Sequence, residues 1–189
     1  MSKVDTTQQS YHLFKTLFGP LALLWSVFDN QPKVLRVLLS KPSVSVKYQL
    51  SKLFPDAIAA TCFEIDTISN DIESFLSGEE IRFSLEIVRM DLCSRFQQKV
   101  LRTEHRIPRG TISTYQRIAE QLGKPNAARA VGNALANNPF PIIIPCHRVI
   151  RSDGTLGGYQ GGPKMKKTLL KMEGVLFNAS NHVVIKKFF

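Results

Sequence analysis

The sequence is poor in the features that define several protein classes. It has three cysteines, Cys62, Cys93 and Cys146, an odd number whose spacing fits neither a disulfide framework nor a zinc ribbon. We therefore expect free thiols in a reducing compartment, the cytoplasm or, in a eukaryote, the nucleus. The longest apolar run near the start, residues 17–28, contains a Gly-Pro pair and is shorter than the ~20 residues that a membrane-spanning helix needs. These absences predict a protein without a secretory signal or a membrane segment.

Acidic residues are scarce in the second half of the chain. Residues 1–94 carry 9 basic and 11 acidic residues, a net charge of −2, whereas residues 95–189 carry 16 and 4, a net charge of +12. A basic surface confined to one half indicates a polyanionic partner. Nucleic acid fits better than a membrane, because no helix combines basic and aromatic residues in an amphipathic pattern. A basic domain without such a partner is the alternative.

The hydrophobic pattern predicts two domains, 1–90 and 91–189. The first alternates strand-like segments with amphipathic helical spacing, which is typical of a mixed α/β domain. The predicted strands are residues 11–14, 19–28, 34–39 and 81–88, and the predicted helices are residues 46–53 and 67–76. Nothing in this domain indicates catalytic chemistry. We interpret Cys62, and Cys93 just after the boundary, as packing residues.

The second domain is predicted to be mostly helical and to contain a helix-turn-helix. One helix begins at Ser94 and a second runs over residues 115–122. A glycine-containing turn at residues 123–125 leads to a third helix, for which Asn126 is a suitable N-cap. A further basic helix is predicted at residues 164–172. Helix, short turn, helix is the spacing of a helix-turn-helix, which suggests DNA binding.

The third helix has two unlike faces when its residues are placed at about 100° intervals. One face would carry Ala127, Ala130, Val131 and Ala134, and the other Arg129, Gly132, Asn133 and Ala136. A single large cation among small residues would let the helix backbone approach a target closely. An exposed arginine without a target is the alternative.

Cys146 and His147 are the strongest chemical signal in the sequence. Apolar residues 142–144, predicted as a strand, and 149–150 flank them and indicate burial. A buried thiol beside an imidazole is either a packing pair or a shielded nucleophile, since a working thiol needs a base or a positive field. His147 cannot easily reach its own neighbour's sulfur, so we expect a bridging water. Among the four acidic residues of this half, we choose Glu173 to orient the imidazole.

Two segments follow the Cys-His pair. Four glycines surround a tyrosine and a glutamine at residues 157–162, and this composition predicts an adaptable loop at the mouth of a pocket. Residues 183–189 have strand-like character, for which the sequence indicates no function.

These segments together resemble the methylated-DNA–protein-cysteine methyltransferases, also called O-6-alkylguanine-DNA alkyltransferases. Residues 145–149, Pro-Cys-His-Arg-Val, match the active-site motif, and the resemblance extends over about residues 96–173. It includes Tyr115, residues 127–132, the Asn-Pro pair before the isoleucines, and the glycine-rich loop. The N-terminal domain resembles the family only loosely. We expect a ribonuclease-H-like small sheet with helices there, and a winged-helix-like helix-turn-helix in the second domain.

The resemblance implies a stoichiometric, irreversible transfer of a methyl or other alkyl group to Cys146. The donor would be the O-6 of guanine, and less well the O-4 of thymine, in double-stranded DNA after base flipping. The implied catalytic residues are Cys146, His147, Glu173, Tyr115, which donates a proton to the leaving guanine, and Asn138, which braces the turn. The implied pocket residues are Tyr115, Pro141, Val149, Tyr159 and Gln160. The implied DNA contacts, in the minor groove, are Tyr115, Ala127, Ala128, Arg129, Gly132 and Asn133, with Arg129 filling the gap left by the flipped base.

The family pattern also sets expectations about ligands. No cofactor is needed, and the protein would act as a monomer. Cys62, Cys93 and His12 do not reproduce the zinc ligands that some members hold, so we expect no metal. Gln160 stands where a smaller residue is common, which would narrow the pocket. Two other functions stay open: a non-catalytic protein that binds alkylated DNA, and a helix-turn-helix regulator that reads sequence in the major groove.

Overall fold

A four-stranded sheet forms the centre of the N-terminal half in this computed structural model, which describes residues 8–41, 43–184 and 188–189. Its strands are β1 (Ser10–Thr16), β2 (Gly19–Phe28), β3 (Gln31–Leu38) and β4 (Ile58–Ala59). The order is β3-β2-β1-β4, with β4 parallel to β1 and the other pairs antiparallel. Asp29 and Asn30 both adopt positive φ in the two-residue turn between β2 and β3, the conformation that a tight hairpin requires.

Two helices, α1 (Val46–Leu53) and α2 (Phe63–Leu76), pack on opposite faces of this sheet. Side chains alternate along a strand, so Leu21 and Leu23 of β2 join the core on the α2 side, whereas Ala22 packs with residues of α1. The predicted strands at 11–14, 19–28 and 34–39 and the predicted helices at 46–53 and 67–76 are confirmed. The central strand β2 is therefore covered on both sides.

The predicted strand at residues 81–88 is wrong. These residues form an irregular segment with one short 3₁₀ turn, Leu85–Ile87, and a single bridge between Val88 and Val34. The Ser84 hydroxyl accepts a hydrogen bond from the Glu86 amide at 3.1 Å and so competes with ladder pairing. The apolar residues alternate because every second side chain touches the core, although the segment does not pair continuously with a strand.

The C-terminal half is mostly helical, as predicted. Its helices are α3 (Arg95–His105), α4 (Tyr115–Gln121), α5 (Ala128–Ala136) and α6 (Gly162–Met172), and a short parallel pair joins β5 (Ser113–Thr114) to β6 (Val149–Ile150). The side chains of Ser94 and Thr114 cap α3 and α4 by accepting backbone N–H bonds, which explains where both helices begin.

Two local predictions in this half are wrong. Asn126 is not an N-cap, because Pro125 favours the first position of a helical turn and a 3₁₀ turn, Pro125–Ala127, precedes α5. Residues 142–144 are buried but form a turn, not a strand. Of the predicted strand-like tail, residues 185–187 lie outside the described residues, and Val183 and Phe188 make only isolated bridges.

The largest hydrophobic core runs through both halves of the chain. It contains Leu21 and Val34 from the sheet, Ile72 from α2, Leu101 from α3 and Val131 from α5. The division into domains 1–90 and 91–189 stays a prediction, as do the likenesses to a ribonuclease-H-like sheet and a winged helix. Among the described residues, no helix has both the length and the apolar character to cross a bilayer.

Replacing Ile72 with alanine should destabilise both halves together. Ile72 is fully buried in the shared core, and removing a buried aliphatic side chain costs about 2–5 kcal/mol of unfolding free energy. Denaturant unfolding followed by the fluorescence of the single tryptophan, Trp25, and by circular dichroism should show one coincident transition. Leu53→Ala, at a 54% exposed position, is the control and should change stability little. Separate transitions for the two signals would contradict a shared core.

Candidate active site

A strained turn delivers Cys146 to its position. The buried Asn138 amide spans this turn: its Oδ1 accepts from the Phe140 amide at 2.9 Å and its Nδ2 donates to the Ile144 carbonyl at 3.3 Å. Ile142 has φ 76°, which is unfavourable for a β-branched side chain and is held there by its surroundings. The apolar character of the three isoleucines therefore reflects the burial of this turn and not a strand. Cys146 follows, with its amide bonded to the Ile144 carbonyl at 2.8 Å.

His147 and Glu173 form a hydrogen-bonded pair in the protein interior. The His147 Nε2 and the Glu173 Oε1 are 2.9 Å apart, and their side chains are 0% and 2% exposed. Glu173 follows α6 directly, so the end of that helix places the carboxylate. An ionised carboxylate accepts only, which puts the imidazole proton on Nε2 and leaves Nδ1 as an acceptor. Nδ1 is buried and has no hydrogen-bond partner in the described part of the chain.

Arg148 is a functional residue that the sequence reasoning passed over. Its Nη2 donates to the Glu173 Oε1 at 2.7 Å, its Nε donates to the Oε2 at 2.9 Å, and its Nη1 donates to the Ile107 carbonyl at 2.6 Å. Burial alone would raise the pKa of Glu173, but the bonds and charges of His147 and Arg148 lower it to about 2. A buried arginine needs an anionic partner. The position of Arg148 within the active-site motif is the feature of the sequence that could have indicated its role.

The thiol and the imidazole are both neutral at rest. Burial raises the pKa of Cys146 to about 12, which Asn138 and Lys166 only partly offset. Burial also lowers the pKa of His147, although Glu173 opposes that change. The site therefore holds a protonated thiol beside an unprotonated base near neutral pH, and any thiolate must form during the reaction.

A cavity of about 260 Å³ opens beside the sulfur, between α5 and the glycine-rich loop. Its lining residues are Tyr115, Gly132, Leu135, Ala136, Cys146, Gly158, Tyr159 and Gln160. Of the predicted pocket residues, Pro141 and Val149 are buried and do not line it. Glycine is required at Gly157, which has φ +67° and where a Cβ would lie 2.8 Å from the Tyr115 hydroxyl.

Gln160 and Tyr159 shape the loop side of this cavity. The Gln160 Nε2 donates to the Asn138 carbonyl at 2.6 Å and to the Ala136 carbonyl at 3.3 Å. The glutamine thus ties the loop to the end of α5. The ring of Tyr159 meets the His147 ring edge-on, with centroids 6.3 Å apart. The size of the Gln160 side chain alone does not reveal these hydrogen bonds, because the two carbonyls that accept them belong to another segment.

Apart from Tyr115, the first residue of α4, the predicted DNA-contacting residues lie along α5 and the turn before it. Arg129 and Asn133 are exposed, whereas Ala127, Ala128 and Gly132 are half-buried. Gly132 faces the Tyr115 ring, since a Cβ there would lie 3.8 Å from it. The same helix therefore forms both an exposed basic edge and one wall of the cavity.

Two further titratable residues are buried near the site and were not predicted. The Lys166 Nζ donates to the Val149 carbonyl at 2.6 Å, and burial lowers the pKa of this lysine to about 8. Glu104 is 0% exposed, and neither of its carboxyl oxygens has a partner among the described residues. Burial raises its pKa to about 8, against smaller opposing effects of Lys166 and Arg148. Within residues 8–41, 43–184 and 188–189, no group of three or more ligating side chains could hold a metal ion.

Comparison with known proteins identifies relatives across nearly the whole chain. The family model described as the DNA-binding domain of 6-O-methylguanine DNA methyltransferase matches residues 95–175. A methylated-DNA–protein-cysteine methyltransferase from Methanosarcina acetivorans is 33% identical over 164 residues, which cover 87% of this chain and 97% of the relative. One from Methanothermobacter thermautotrophicus is 48% identical over 111 residues, 59% of this chain. That match spans only 62% of the relative's length.

Solved structures agree with these relatives. The Mycobacterium tuberculosis OGT in complex with DNA superposes with a TM-score of 0.69 at 30% identity, covering 87% of this chain and 92% of the other. The O6-methylguanine-DNA methyltransferase from Pyrococcus kodakaraensis gives a TM-score of 0.64 at 23% identity, which shows the shared fold alone.

Replacing Glu104 with glutamine should change how stability depends on pH. In the unfolded chain this carboxyl ionises near its ordinary pKa of 4.5, but in the folded protein only near 8, so ionisation favours unfolding between these values. The difference in unfolding free energy between Glu104→Gln and the unmodified protein should therefore change in favour of the variant by on the order of 2–4 kcal/mol between about pH 5 and about pH 8.

The measurement is the free energy of unfolding in denaturant at both pH values. Glu120→Gln, at an exposed position of α4, is the matched control and should leave the difference between the two pH values unchanged. If the difference in unfolding free energy between Glu104→Gln and the unmodified protein is the same at both pH values, Glu104 is already ionised in the folded state.

Proposed function

This chain belongs to the methylated-DNA–protein-cysteine methyltransferase family, and we propose that it removes alkyl groups from DNA by transferring them to its own Cys146. The substrate is the O-6-alkylated guanine of double-stranded DNA, and less well the O-4-alkylated thymine. The observation that supports this proposal is the position of Cys146, which lines a cavity between α5 and the glycine-rich loop and directly precedes the buried His147–Glu173 pair.

The proton of the thiol leaves as the sulfur attacks. A water between the sulfur and His147 passes the proton to Nδ1, the nitrogen that has no partner within the described residues. The imidazolium that forms is stabilised by the Glu173 carboxylate, which its pKa of about 2 keeps ionised. The sulfur forms a bond to the alkyl carbon, and the bond from that carbon to the guanine O-6 breaks. The thioether is stable, so each molecule reacts once.

Tyr115 supplies the proton that the leaving guanine needs. Burial raises the pKa of its phenol, so the hydroxyl is protonated before the reaction, and it donates this proton as negative charge develops on the base. Gly132 and Gly157 leave room for the ring, because a Cβ at either position would lie against it. Proton donation avoids a guanine anion in a dry cavity, where an unpaired charge is costly. The proton accepted by His147 then returns to the tyrosine through solvent.

The basic C-terminal half holds the DNA. Its net charge of +12 favours contact with the phosphate backbone, and the small residues of α5 let the helix backbone enter the minor groove. In this proposal α4 and α5 form the winged-helix-like helix-turn-helix, and the exposed Arg129 occupies the space vacated by the flipped base. Ala127, Ala128 and Asn133 contact the backbone beside it.

Gln160 limits the alkyl groups that the cavity accepts. Its amide is anchored on two carbonyls, so the side chain cannot swing out without losing both bonds. We expect methyl groups to transfer faster than benzyl groups for this reason.

Replacing Cys146 with alanine should abolish transfer and spare DNA binding. Incubation with duplex DNA that contains O-6-methylguanine, followed by mass spectrometry of peptides, should show one methyl group on Cys146 of the unmodified protein. Cys62 and Cys93 should stay unmodified and serve as internal controls. If Cys146→Ala still removes methyl groups from the DNA, the mechanism is wrong. If the unmodified protein binds the lesion without any transfer, it is a non-catalytic binding protein.

Replacing Arg129 with alanine should slow repair of duplex DNA about tenfold or more and leave reaction with a free alkylated guanine unchanged. The reason is that only duplex DNA requires a base to be flipped out and its place to be filled. Single-turnover rates on the two substrates provide the measurement. Arg102→Ala, an exposed arginine of α3, removes the same charge and is the control. Equal losses on both substrates would contradict the proposed role of Arg129.

A further inference from the structure

The turn that follows α3 lies where the two halves of the chain meet. Arg109 is half-buried in this turn, and its guanidinium reaches across the junction. One Nη1 bond goes to the Glu79 carbonyl at 2.8 Å, and Nη2 donates to the Gly78 carbonyl at 2.7 Å and to the Met172 carbonyl at 3.1 Å. A single planar group therefore joins the segment after α2 to the last residue of α6.

All three acceptors are main-chain carbonyls at or just beyond the ends of helices. The Met172 carbonyl is the last of α6, and the last carbonyls of a helix lack partners within it and carry partial negative charge. The planar guanidinium can serve several such acceptors at once, which a lysine ammonium cannot match in geometry. Arg109 thus holds the ends of α2 and α6 in a fixed relation.

The same turn also touches the residues that orient His147. Glu173 follows Met172 directly, and the Gly110 amide lies 3.5 Å from the Glu173 Oε2. Gly110 has φ +72°, and a Cβ there would lie 2.9 Å from the Glu173 carbonyl oxygen, so the turn sits directly on this backbone. The Ile107 carbonyl, at the start of the turn, accepts from Arg148. The turn therefore contacts both Glu173 and Arg148, the arginine that is bonded to its carboxylate.

The N-terminal half contacts the imidazole itself through α2. The Phe75 ring, in the last turn of α2, meets the His147 ring edge-on with centroids 6.0 Å apart. Arg109 fixes the segment that follows α2 relative to Met172, and hence fixes Phe75 relative to Glu173. The imidazole is held between a ring from one half and a carboxylate from the other.

We propose that Arg109 is a positioning residue, through which the N-terminal half holds His147 in the orientation that the alkyl transfer needs. This inference rests on the proposed function. Without the guanidinium, three carbonyls lose their donor, and α2 and α6 can move relative to each other. Small displacements in a reacting geometry cost as much as about a hundredfold in rate. DNA binding should be unaffected, because α5 makes none of these contacts.

The test compares Arg109→Ala with Arg106→Ala, which removes a charge from an exposed neighbour whose side chain has no hydrogen-bond partner among the described residues. At saturating methylated DNA, well below the unfolding temperature, Arg109→Ala should transfer about 10- to 100-fold more slowly, with an unchanged Kd for DNA. Arg109→Lys keeps the charge but has fewer well-placed donors, so it should fold and lose less. A rate for Arg109→Ala equal to that of Arg106→Ala would overturn the proposal, as would a loss confined to DNA affinity.

A second readout is independent of the reaction. The Nε2–H proton of His147, held by Glu173, should give a resolved downfield signal in proton NMR of the unmodified protein and of Arg106→Ala. In Arg109→Ala this signal should shift or broaden, and in Arg109→Lys it should change less. An unchanged signal in Arg109→Ala would overturn the positioning role even if no transfer occurs in any variant. Absence of transfer in the unmodified protein, with the signal changed as expected, would refute the proposed function alone.

Discussion

The site depends on the hydrogen bonds that the Glu173 carboxylate accepts from His147 and Arg148. This carboxylate is 2% exposed, and a buried anion is tolerated only when several donors compensate for lost hydration. His147 and Arg148, adjacent residues of one 3₁₀ turn, supply those donors. The carboxylate therefore does two things together. It fixes the tautomer of the imidazole, and it fastens the end of α6 to the segment that carries Cys146.

Burial determines the resting chemistry of this arrangement. In water a thiol beside an imidazole would exchange its proton readily, but here burial raises the pKa of Cys146 to about 12 and lowers that of His147. A neutral pair is chemically quiet, which fits the proposal that Cys146 reacts only once. Glu104 and Lys166 are also buried near the sulfur. Loss of hydration raises the pKa of Glu104 and lowers the pKa of Lys166, each to about 8.

Space in the cavity is controlled as closely as charge. Gly157 leaves room for the Tyr115 ring at a position where any side chain would collide with the phenol. Gln160 closes the loop side by bonding to carbonyls near the end of α5. The N-terminal half contributes through the shared core and through Phe75, which lies against His147. No part of the site is built by one segment alone.

The sequence by itself determined most of the secondary structure and the chemical identity of the site, because strand alternation, helix caps and a Pro-Cys-His-Arg motif are local properties of the chain. It also indicated Glu173, since few carboxylates were available in the basic half. Only the tertiary structure decided that residues 142–144 form a strained turn, that Arg148 completes the ion pair, and that the Glu104 carboxyl is buried without a partner in the described part of the chain. These features depend on which distant segments surround a residue, and long-range hydrogen bonds leave no periodic trace in the sequence.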